Sequence, residues 1–176
     1  MQKEGWGNFT SRNATRLLSG KAILVTGATG FIGQHLVSAL LEQGASVIAL
    51  SRRPPSEGVQ KYKTVVGDLT RPVTLGGICH GMDIVFHLGG YAHAVDQLDG
   101  KSEEINWQVT VEGTRALVEQ SIKAGVGRFL FFSSVKAMGE GGEDCIDEAT
   151  EGQAVTSYGK AKREAEKLVL EAGRPG

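Results

Sequence analysis

Short apolar runs alternate along the chain with segments whose apolar residues recur every three or four positions. Runs of this kind are typical of parallel strands that are buried on both faces of a sheet. We predict five such strands, at Ala22–Thr26, Ser46–Leu50, Thr64–Val66, Ile84–Leu88 and Phe129–Phe132.

Three of the intervening segments have the periodicity of amphipathic helices. The first follows the first strand and ends at Gly44, a residue suited to a helix C-terminus. Its apolar face comprises Ile32, Leu36, Val37, Leu40 and Leu41. The second helix runs from about Glu103 to Ala124, and the third begins near Ser157. The stretch from Thr70 to Gly81 contains two adjacent glycines and gives only weak support for a crossover helix.

Alternating strands and helices predict an α/β fold with a parallel sheet. Ligands of such sheets bind outside the carboxyl ends of the strands. Five residues with candidate chemistry lie at or just past a predicted strand end: Gly27, Ser51, Asp68, Gly89 and Ser134. We therefore expect a ligand site at this edge of the sheet.

Composition limits the range of functions. The chain has 176 residues, 40% hydrophobic and 22% charged, with a net charge of -1; this suits one compact domain that binds no nucleic acid. No apolar run approaches the roughly 18 residues of a membrane-spanning helix. We interpret residues 1–20 as a polar leader and residues 21–176 as the domain of a cytoplasmic protein. Cys79 and Cys145 lack metal-ligand spacing, so we expect reduced thiols and no metal site.

Three glycines spaced three residues apart lie between the first predicted strand and the first predicted helix: Gly27, Gly30 and Gly33. Glycines in this context permit a tight turn, let a pyrophosphate approach the backbone, and let the helix pack close to the strand. The helix N-terminus offers free N–H groups and a positive dipole end to the phosphates. The alternative is that these residues only shape a turn. The strand–turn–helix context favours NAD or NADP binding by this glycine turn, which we define as residues 27–33.

The end of the second predicted strand bears on the choice between the two cofactors. NAD enzymes usually place a carboxylate there, where it binds the ribose hydroxyls. This chain has Ser51, Arg52 and Arg53 instead, which could hold a 2′-phosphate. The alternative is that the arginines are solvated loop residues. We expect NAD(P) binding, with NADP favoured.

Six short motifs occur in an order found in one family: Thr26–Gly33, Gly67–Leu69, His87–Gly90, Val111–Thr114, Phe132–Ser134 and Tyr158–Lys162. From about residue 21 to residue 173, the chain resembles the extended short-chain dehydrogenases/reductases, the NAD-dependent epimerase/dehydratase group that often acts on nucleotide sugars. The resemblance implies a Rossmann-like, doubly wound parallel sheet. It implies cofactor contacts, with Asp68 meeting the adenine, from Gly27, Thr29, Gly30, Phe31, Ile32, Gly33, Asp68, Leu69, Leu88, Gly89, Gly90, Tyr158 and Lys162.

The candidate catalytic residues are Ser134, Tyr158 and Lys162. Tyr158 and Lys162 are one helical turn apart, on the same face of the last predicted helix. A tyrosine with its ordinary pKa near 10 is a poor base, but a nearby ammonium and a positive nicotinamide ring favour the phenolate. That phenolate could take the proton of a substrate hydroxyl that Ser134 also binds. The alternative is an ordinary helix with exposed Tyr and Lys side chains.

Three further residues deserve a separate interpretation. His87 ends a predicted strand, where a structural histidine is favoured over a catalytic one. His93 follows the fourth strand and is a weaker candidate for substrate contact. Thr110 stands where the family often has asparagine, and this departure weighs against the structural or proton-relay role that the resemblance implies for that site.

We expect a hydride-transferring oxidoreductase or epimerase that acts on a secondary hydroxyl or carbonyl of a small molecule, with a nucleotide sugar as one candidate. The alternative is a cofactor-binding domain without catalysis. Family members continue for more than a hundred residues past the Tyr-x-x-x-Lys helix, so we expect this chain to lack their C-terminal strands and substrate domain. The resemblance also implies a homodimer formed through the helices around Glu103–Ala124 and Ser157–Ala172.

Overall fold

The computed structural model describes residues 16–54, 61–91, 100–139, 147 and 152–173. Five parallel strands form one sheet in the order β3-β2-β1-β4-β5. The strands are β1 (Ala22–Thr26), β2 (Ser46–Ser51), β3 (Lys63–Val66), β4 (Ile84–His87) and β5 (Arg128–Phe131). The predicted Rossmann-like parallel sheet is therefore confirmed.

Four α-helices cover the sheet: α1 (Phe31–Glu42), α2 (Gly100–Trp107), α3 (Gly113–Ala124) and α4 (Ser157–Ala172). A π-helical segment, Gln108–Glu112, joins α2 to α3. Two short 3-10 turns complete the described secondary structure, Pro72–Leu75 after β3 and Val135–Ala137 after β5. No helix in the described part of the chain is long and apolar enough to cross a membrane.

The central strand β1 separates two apolar cores because successive side chains of a strand point to opposite faces. Ile23 and Val25 pack on one face with Val37 and Leu40 of α1. Leu24 packs on the other face, in a core that includes Leu50, Leu75, Cys79, Val85 and Leu117. Helices thus cover both faces of the sheet, which explains why β1 is apolar at every core position rather than at alternate ones.

Several predicted boundaries differ from the structure by a few residues. β2 includes Ser51, β4 stops at His87, and β5 begins at Arg128. The predicted helix from Glu103 begins at Gly100 and contains the π-helical segment, which a regular period of 3.6 residues does not reveal. The doubtful crossover after β3 contains only a 3-10 turn and no α-helix.

Of the two cysteines, Cys79 lies within the described residues. Cys79 is a buried free thiol whose Sγ lies 3.5 Å from the Ser121 hydroxyl; burial raises the pKa of this thiol. Cys145 and His93 lie outside the described residues. Among the described residues, no group of three His, Cys, Asp or Glu side chains could hold a metal ion.

Candidate active site

The glycine turn packs against the end of β4. Gly27 has a positive φ of 68°, and a Cβ placed on it would lie 2.9 Å from the Gly89 nitrogen. A Cβ on Gly33 would lie 2.0 Å from the Gly27 carbonyl oxygen. Any side chain at either position would therefore displace backbone. The predicted roles of these two glycines, a tight turn and close packing of helix on strand, agree with this geometry.

The N-terminus of α1 is suited to bind an anion. Gly30 is its N-cap, and no described side chain caps the first turn, which contains no acidic residue. The first N–H groups of a helix lack partners within the helix, so they are available to a phosphate. The side chains of Phe31 and Ile32 beside them are 80% and 57% exposed. A dinucleotide pyrophosphate fits this uncapped, glycine-lined cradle.

Residues after β3 and β4 form the neighbouring wall, which we call the cofactor wall and define by Leu69, Leu88 and Gly89. A Cβ on Gly89 would lie 2.8 Å from Leu69 Cδ1 and 2.9 Å from Thr26 Oγ1. A Cβ on Gly113, the first residue of α3, would lie 2.8 Å from Leu69 Cβ. The structure therefore brings Leu69, Leu88 and Gly89 together with the glycine turn, at the carboxyl ends of β1 and β4.

Asp68 is half-buried beside this wall and shapes its own loop. Its Oδ1 accepts hydrogen bonds from the Thr70 N–H at 2.9 Å and from the Thr70 hydroxyl at 2.8 Å. The Asp68 N–H donates to the Thr74 hydroxyl at 2.8 Å. The carboxylate thus holds the turn after β3, a role that the sequence did not predict, in addition to its predicted contact with adenine.

The end of β2 carries the candidate ribose-binding residues. Ser51 is the last residue of the strand, and its Oγ accepts a hydrogen bond from the Arg53 N–H at 3.3 Å. The side chains of Arg52 and Arg53 are exposed, and residues 51–54 include no carboxylate. Among the described residues, the edge where a ribose would lie therefore carries two exposed positive charges.

Lys162 belongs to α4, and its buried side chain extends towards the end of β5. Its Nζ donates a hydrogen bond to the Phe132 carbonyl at 2.8 Å and lies 4.5 Å from the centroid of the Phe131 ring. A Cβ on Gly90 would lie 3.5 Å from the same Nζ, so the ammonium faces the turn after β4. Burial lowers the pKa of Lys162 to about 8, and the negative charge of Glu166 opposes that shift.

Tyr158 and Ser134 lie on adjoining elements near Lys162. Tyr158 is half-buried in the first turn of α4, four residues before Lys162. The Ser134 hydroxyl accepts a hydrogen bond from the Lys136 N–H at 3.3 Å, and it keeps its own proton for another acceptor. A Cβ on Gly159 would lie 2.2 Å from the Lys136 carbonyl oxygen, so α4 packs directly on the 3-10 turn that Ser134 begins.

A group of buried polar residues between the cofactor wall and α4 was missed from the sequence. Both ring nitrogens of His87 have partners, Nδ1 at 2.6 Å from the Thr26 hydroxyl and Nε2 at 2.9 Å from the Thr114 hydroxyl. This agrees with a structural histidine. Thr110 donates its hydroxyl proton to Asn106, one turn earlier in the helix. The spacing of four between Asn106, Thr110 and Thr114 was the available signal, because it places them on one helix face.

Comparison with known proteins identifies the family. A model of the NAD dependent epimerase/dehydratase family matches residues 23–176. The chain belongs to this family. Membership agrees with the glycine turn, the Ser134 turn and the Tyr158–Lys162 helix, all of which the matched region contains.

Two curated relatives in this family have different activities by name. The chain is 35% identical over 159 residues to a 3-beta-hydroxysteroid dehydrogenase of Mycolicibacterium neoaurum, covering 84% of this chain and 42% of that protein. It is 32% identical over 152 residues to a UDP-glucose 4-epimerase of Vibrio cholerae, covering 85% of this chain and 46% of that protein. The chain thus spans less than half the length of either relative.

Solved structures of the family share the fold. A short-chain dehydrogenase/reductase superfamily protein from Agrobacterium tumefaciens with bound NAD is 32% identical, with a TM-score of 0.75 over 88% of this chain and 46% of that one. The protein MoeE5, in complex with UDP-glucuronic acid and NAD, is 31% identical, with a TM-score of 0.73 over 88% of this chain and 50% of that one.

Proposed function

We propose that this member of the epimerase/dehydratase family is an NAD(P)-dependent oxidoreductase or epimerase that acts on a secondary hydroxyl or carbonyl. The observation that carries the proposal is the buried Lys162 ammonium. Its side chain extends from α4, the helix that also bears Tyr158, and its Nζ faces the turn after β4. A buried amine that faces a dinucleotide cradle, one helical turn from a tyrosine, is arranged for proton transfer beside a cofactor.

The proposed roles of the chain's own residues follow from their chemistry. The positive charge of Lys162 favours the phenolate of Tyr158, which accepts the proton of the substrate hydroxyl. The Ser134 hydroxyl donates to the same substrate oxygen and holds it in place. When bound, the dinucleotide supplies the acceptor or donor of the hydride. The Phe132 carbonyl fixes the Lys162 ammonium, so that its charge acts at one place.

We also propose that NADP is preferred over NAD. Two exposed arginines follow Ser51. Residues 51–54 contain no carboxylate, which would repel a 2′-phosphate. Arginine binds phosphate with two parallel hydrogen bonds, which a single lysine does not provide.

We also propose a substrate class and an oligomeric state. The names of the relatives support nucleotide sugars and 3-hydroxysteroids as the first small molecules to test. A homodimer through α3 and α4 is supported by apolar side chains that these helices expose, Ile122 at 63% and Leu170 at 66%.

The experiment combines cofactor binding with turnover. NADPH and NADH fluorescence measures the dissociation constants, and turnover is then assayed with UDP-glucose, UDP-glucuronic acid and a 3-hydroxysteroid. Tyr158→Phe should lower kcat by about 10²–10⁴-fold, the usual effect of removing a general base. It should change the cofactor dissociation constant far less than kcat, because the glycine turn that binds the phosphates and the ring of residue 158 are retained.

Lys160→Met is the matched control, because Lys160 is an exposed lysine on the same helix. It should leave kcat unchanged, whereas Lys162→Met should lower it. Cofactor binding without turnover would favour the alternative of a cofactor-binding domain. Saturation with NADPH that is unaffected by Gly30→Trp would contradict both functions, because Gly30 begins the anion-binding helix.

A further inference from the structure

A series of hydrogen bonds, buried except for the last one, connects the cofactor wall to the start of α4. It runs from the Gly89 N–H to the Thr26 hydroxyl (2.8 Å), from there to His87 Nδ1 (2.6 Å), and from His87 Nε2 to the Thr114 hydroxyl (2.9 Å). Thr114 donates to the Thr110 carbonyl at 2.5 Å. The Thr110 hydroxyl donates to Asn106 Oδ1 at 3.1 Å, and Asn106 Nδ2 donates to the Ser157 carbonyl at 3.3 Å. We call this series the buried polar chain.

The direction of each hydrogen bond around His87 is determined by its neighbours. The Thr114 hydroxyl gives its proton to the Thr110 carbonyl, so it must accept from His87, and Nε2 must carry a proton. The Thr26 hydroxyl accepts from the Gly89 N–H and has its own proton left for His87 Nδ1. The partners thus select one state of the ring, neutral with the proton on Nε2.

Burial makes this arrangement hard to replace. Thr26, His87, Thr110, Thr114 and Asn106 are each at most 1% exposed. A buried polar group that loses its partner costs about 1–3 kcal/mol, so each link constrains the next. Burial and the nearby charge of Lys162 lower the pKa of His87 to about 3, which keeps the ring neutral at ordinary pH.

The two ends of the buried polar chain belong to the two halves of the site. One end is the Gly89 N–H, in the turn that contacts Gly27 of the glycine turn. The other is the carbonyl of Ser157, the residue before Tyr158. Asn106 and Thr110 lie on α2 and the π-helical segment, which α4 packs against. The hydrogen bond from Asn106 to Ser157 therefore joins two helices that pack directly against each other.

We propose that the buried polar chain fixes the first turn of α4 against the cofactor wall, with His87, Thr110 and Asn106 as positioning residues for Tyr158. The inference rests on the proposed role of Tyr158. It also assigns a function to Thr110 at the position where the family often has asparagine. Asn106, one turn earlier, supplies the amide that reaches α4.

The first test uses the unaltered chain. Nitrogen-15 NMR of labelled histidines, assigned with His87→Gln, should show His87 neutral and protonated on Nε2 from pH 5 to pH 8. A proton on Nδ1, or protonation of the ring within this range, would overturn the proposal. Neither result depends on turnover or on the substrate.

The second test removes one hydroxyl from the middle of the series. Thr110→Val retains the side-chain shape and loses the donor to Asn106, whereas Thr110→Ser retains the donor. In a chain with labelled tyrosines, assigned with Tyr158→Phe, the ring resonances of Tyr158 should move in Thr110→Val and return in Thr110→Ser. Where turnover is found, kcat should fall at least tenfold in Thr110→Val, and the dissociation constant of NADPH should change less than twofold.

Ser121→Ala is the control for a purely structural effect. Ser121 is a buried hydroxyl on α3 that donates to the Leu117 carbonyl and lies outside the series. Its loss should lower stability without moving the Tyr158 resonances. Unmoved Tyr158 resonances in Thr110→Val, together with a loss of stability like that of Ser121→Ala, would overturn the positioning role. Absence of cofactor binding in the unaltered chain would instead contradict the proposed function.

Discussion

In the proposed preference for NADP, the deciding residues are the two arginines that follow β2. Arg52 and Arg53 are exposed, and the Ser51 hydroxyl accepts a hydrogen bond from the Arg53 backbone N–H. In the proposal, their guanidinium groups bind a 2′-phosphate, which NADP has and NAD lacks. A hydrogen bond to a charged group contributes about 1.5–3 kcal/mol, which is roughly one to two powers of ten in a dissociation constant.

We predict that replacing both Arg52 and Arg53 with alanine weakens NADPH binding by about tenfold to a hundredfold, since hydrogen bonds to the charged 2′-phosphate are lost. NADH binding should change less than about twofold, because NADH carries an uncharged hydroxyl at that position instead of a phosphate. Fluorescence titration measures both constants. Arg128→Ala is the matched control, because Arg128 is exposed at the opposite end of the sheet. Tighter binding of NADH than of NADPH by the unaltered chain would contradict the prediction.

Residues with a local cause could be predicted from the sequence, and residues whose role depends on distant partners could not. Gly27 and Gly33 follow from the requirements of a strand–turn–helix connection. The hydroxyl of Thr26 gave no such signal, because its partners, His87 and Gly89, are 61 and 63 residues away in the chain. The Lys162 contact with the Phe132 carbonyl was hidden for the same reason.

At the scale of elements, α4 depends on a defined start. Thr156 is its N-cap, and the Thr156 hydroxyl accepts a hydrogen bond from the Gly159 N–H at 3.1 Å. Ser157, next to the cap, is the residue whose carbonyl accepts from Asn106. The first turn of α4 is thus held twice, by its own cap and by a neighbouring helix, and Tyr158 lies within it.

We predict that Thr156→Ala lowers the free energy of unfolding by about 1 kcal/mol, the usual cost of losing an N-cap hydroxyl. Thr156→Ser should retain most of the stability because it keeps the accepting oxygen. Urea unfolding followed by circular dichroism measures the difference. An equal loss in Thr156→Ser and Thr156→Ala would show that the threonine methyl group, rather than the cap, is responsible.

Most elements were predictable because burial leaves a pattern in the sequence: a period where one face is buried, and a continuous apolar run where both faces are buried. The exceptions have irregular hydrogen bonding. The segment Gln108–Glu112 is π-helical. Within it, the Thr110 carbonyl accepts a hydrogen bond from the Thr114 hydroxyl, and the Thr110 hydroxyl donates one to Asn106. Apolar periodicity records which side of a helix is buried, but it does not record an extra residue in one turn.

At the scale of the whole molecule, buried titratable groups make stability depend on pH, His87 and Lys162 among them. The pKa of His87 is lowered from 6.5 to about 3 by burial and by the charge of Lys162. The pKa of Lys162 is lowered from 10.5 to about 8 by burial. In both cases the unfolded chain binds more protons than the folded one between the two values. His87 therefore makes stability rise with pH from about 3 to 6.5. Lys162 contributes a second rise from about 8 to 10.5, which the raised pKa of the buried Cys79 thiol opposes at alkaline pH.

The acidic window gives the stronger prediction because His87 is completely buried. Between about pH 6 and pH 4, each pH unit by which the solution is acidified should lower the free energy of unfolding by about 1.4 kcal/mol through His87. The histidine of the unfolded chain is already half protonated at pH 6.5, so lowering the pH from 6.5 to 4.5 should cost about 2 kcal/mol. Asp83, whose pKa is lowered from 3.8 by the Ala22 N–H and by Lys21, loses its contribution only below this interval.

Urea unfolding at intervals from pH 4.5 to pH 7 measures this slope. In His87→Gln the slope should fall by about 1.4 kcal/mol per pH unit, since glutamine does not titrate and its amide can both accept from Thr26 and donate to Thr114. His35→Gln is the control, because His35 is exposed on α1. Equal slopes in the unaltered chain and in His87→Gln would mean that His87 is accessible to protons in the folded protein. The neutral ring that joins the cofactor wall to α4 would then not persist in solution.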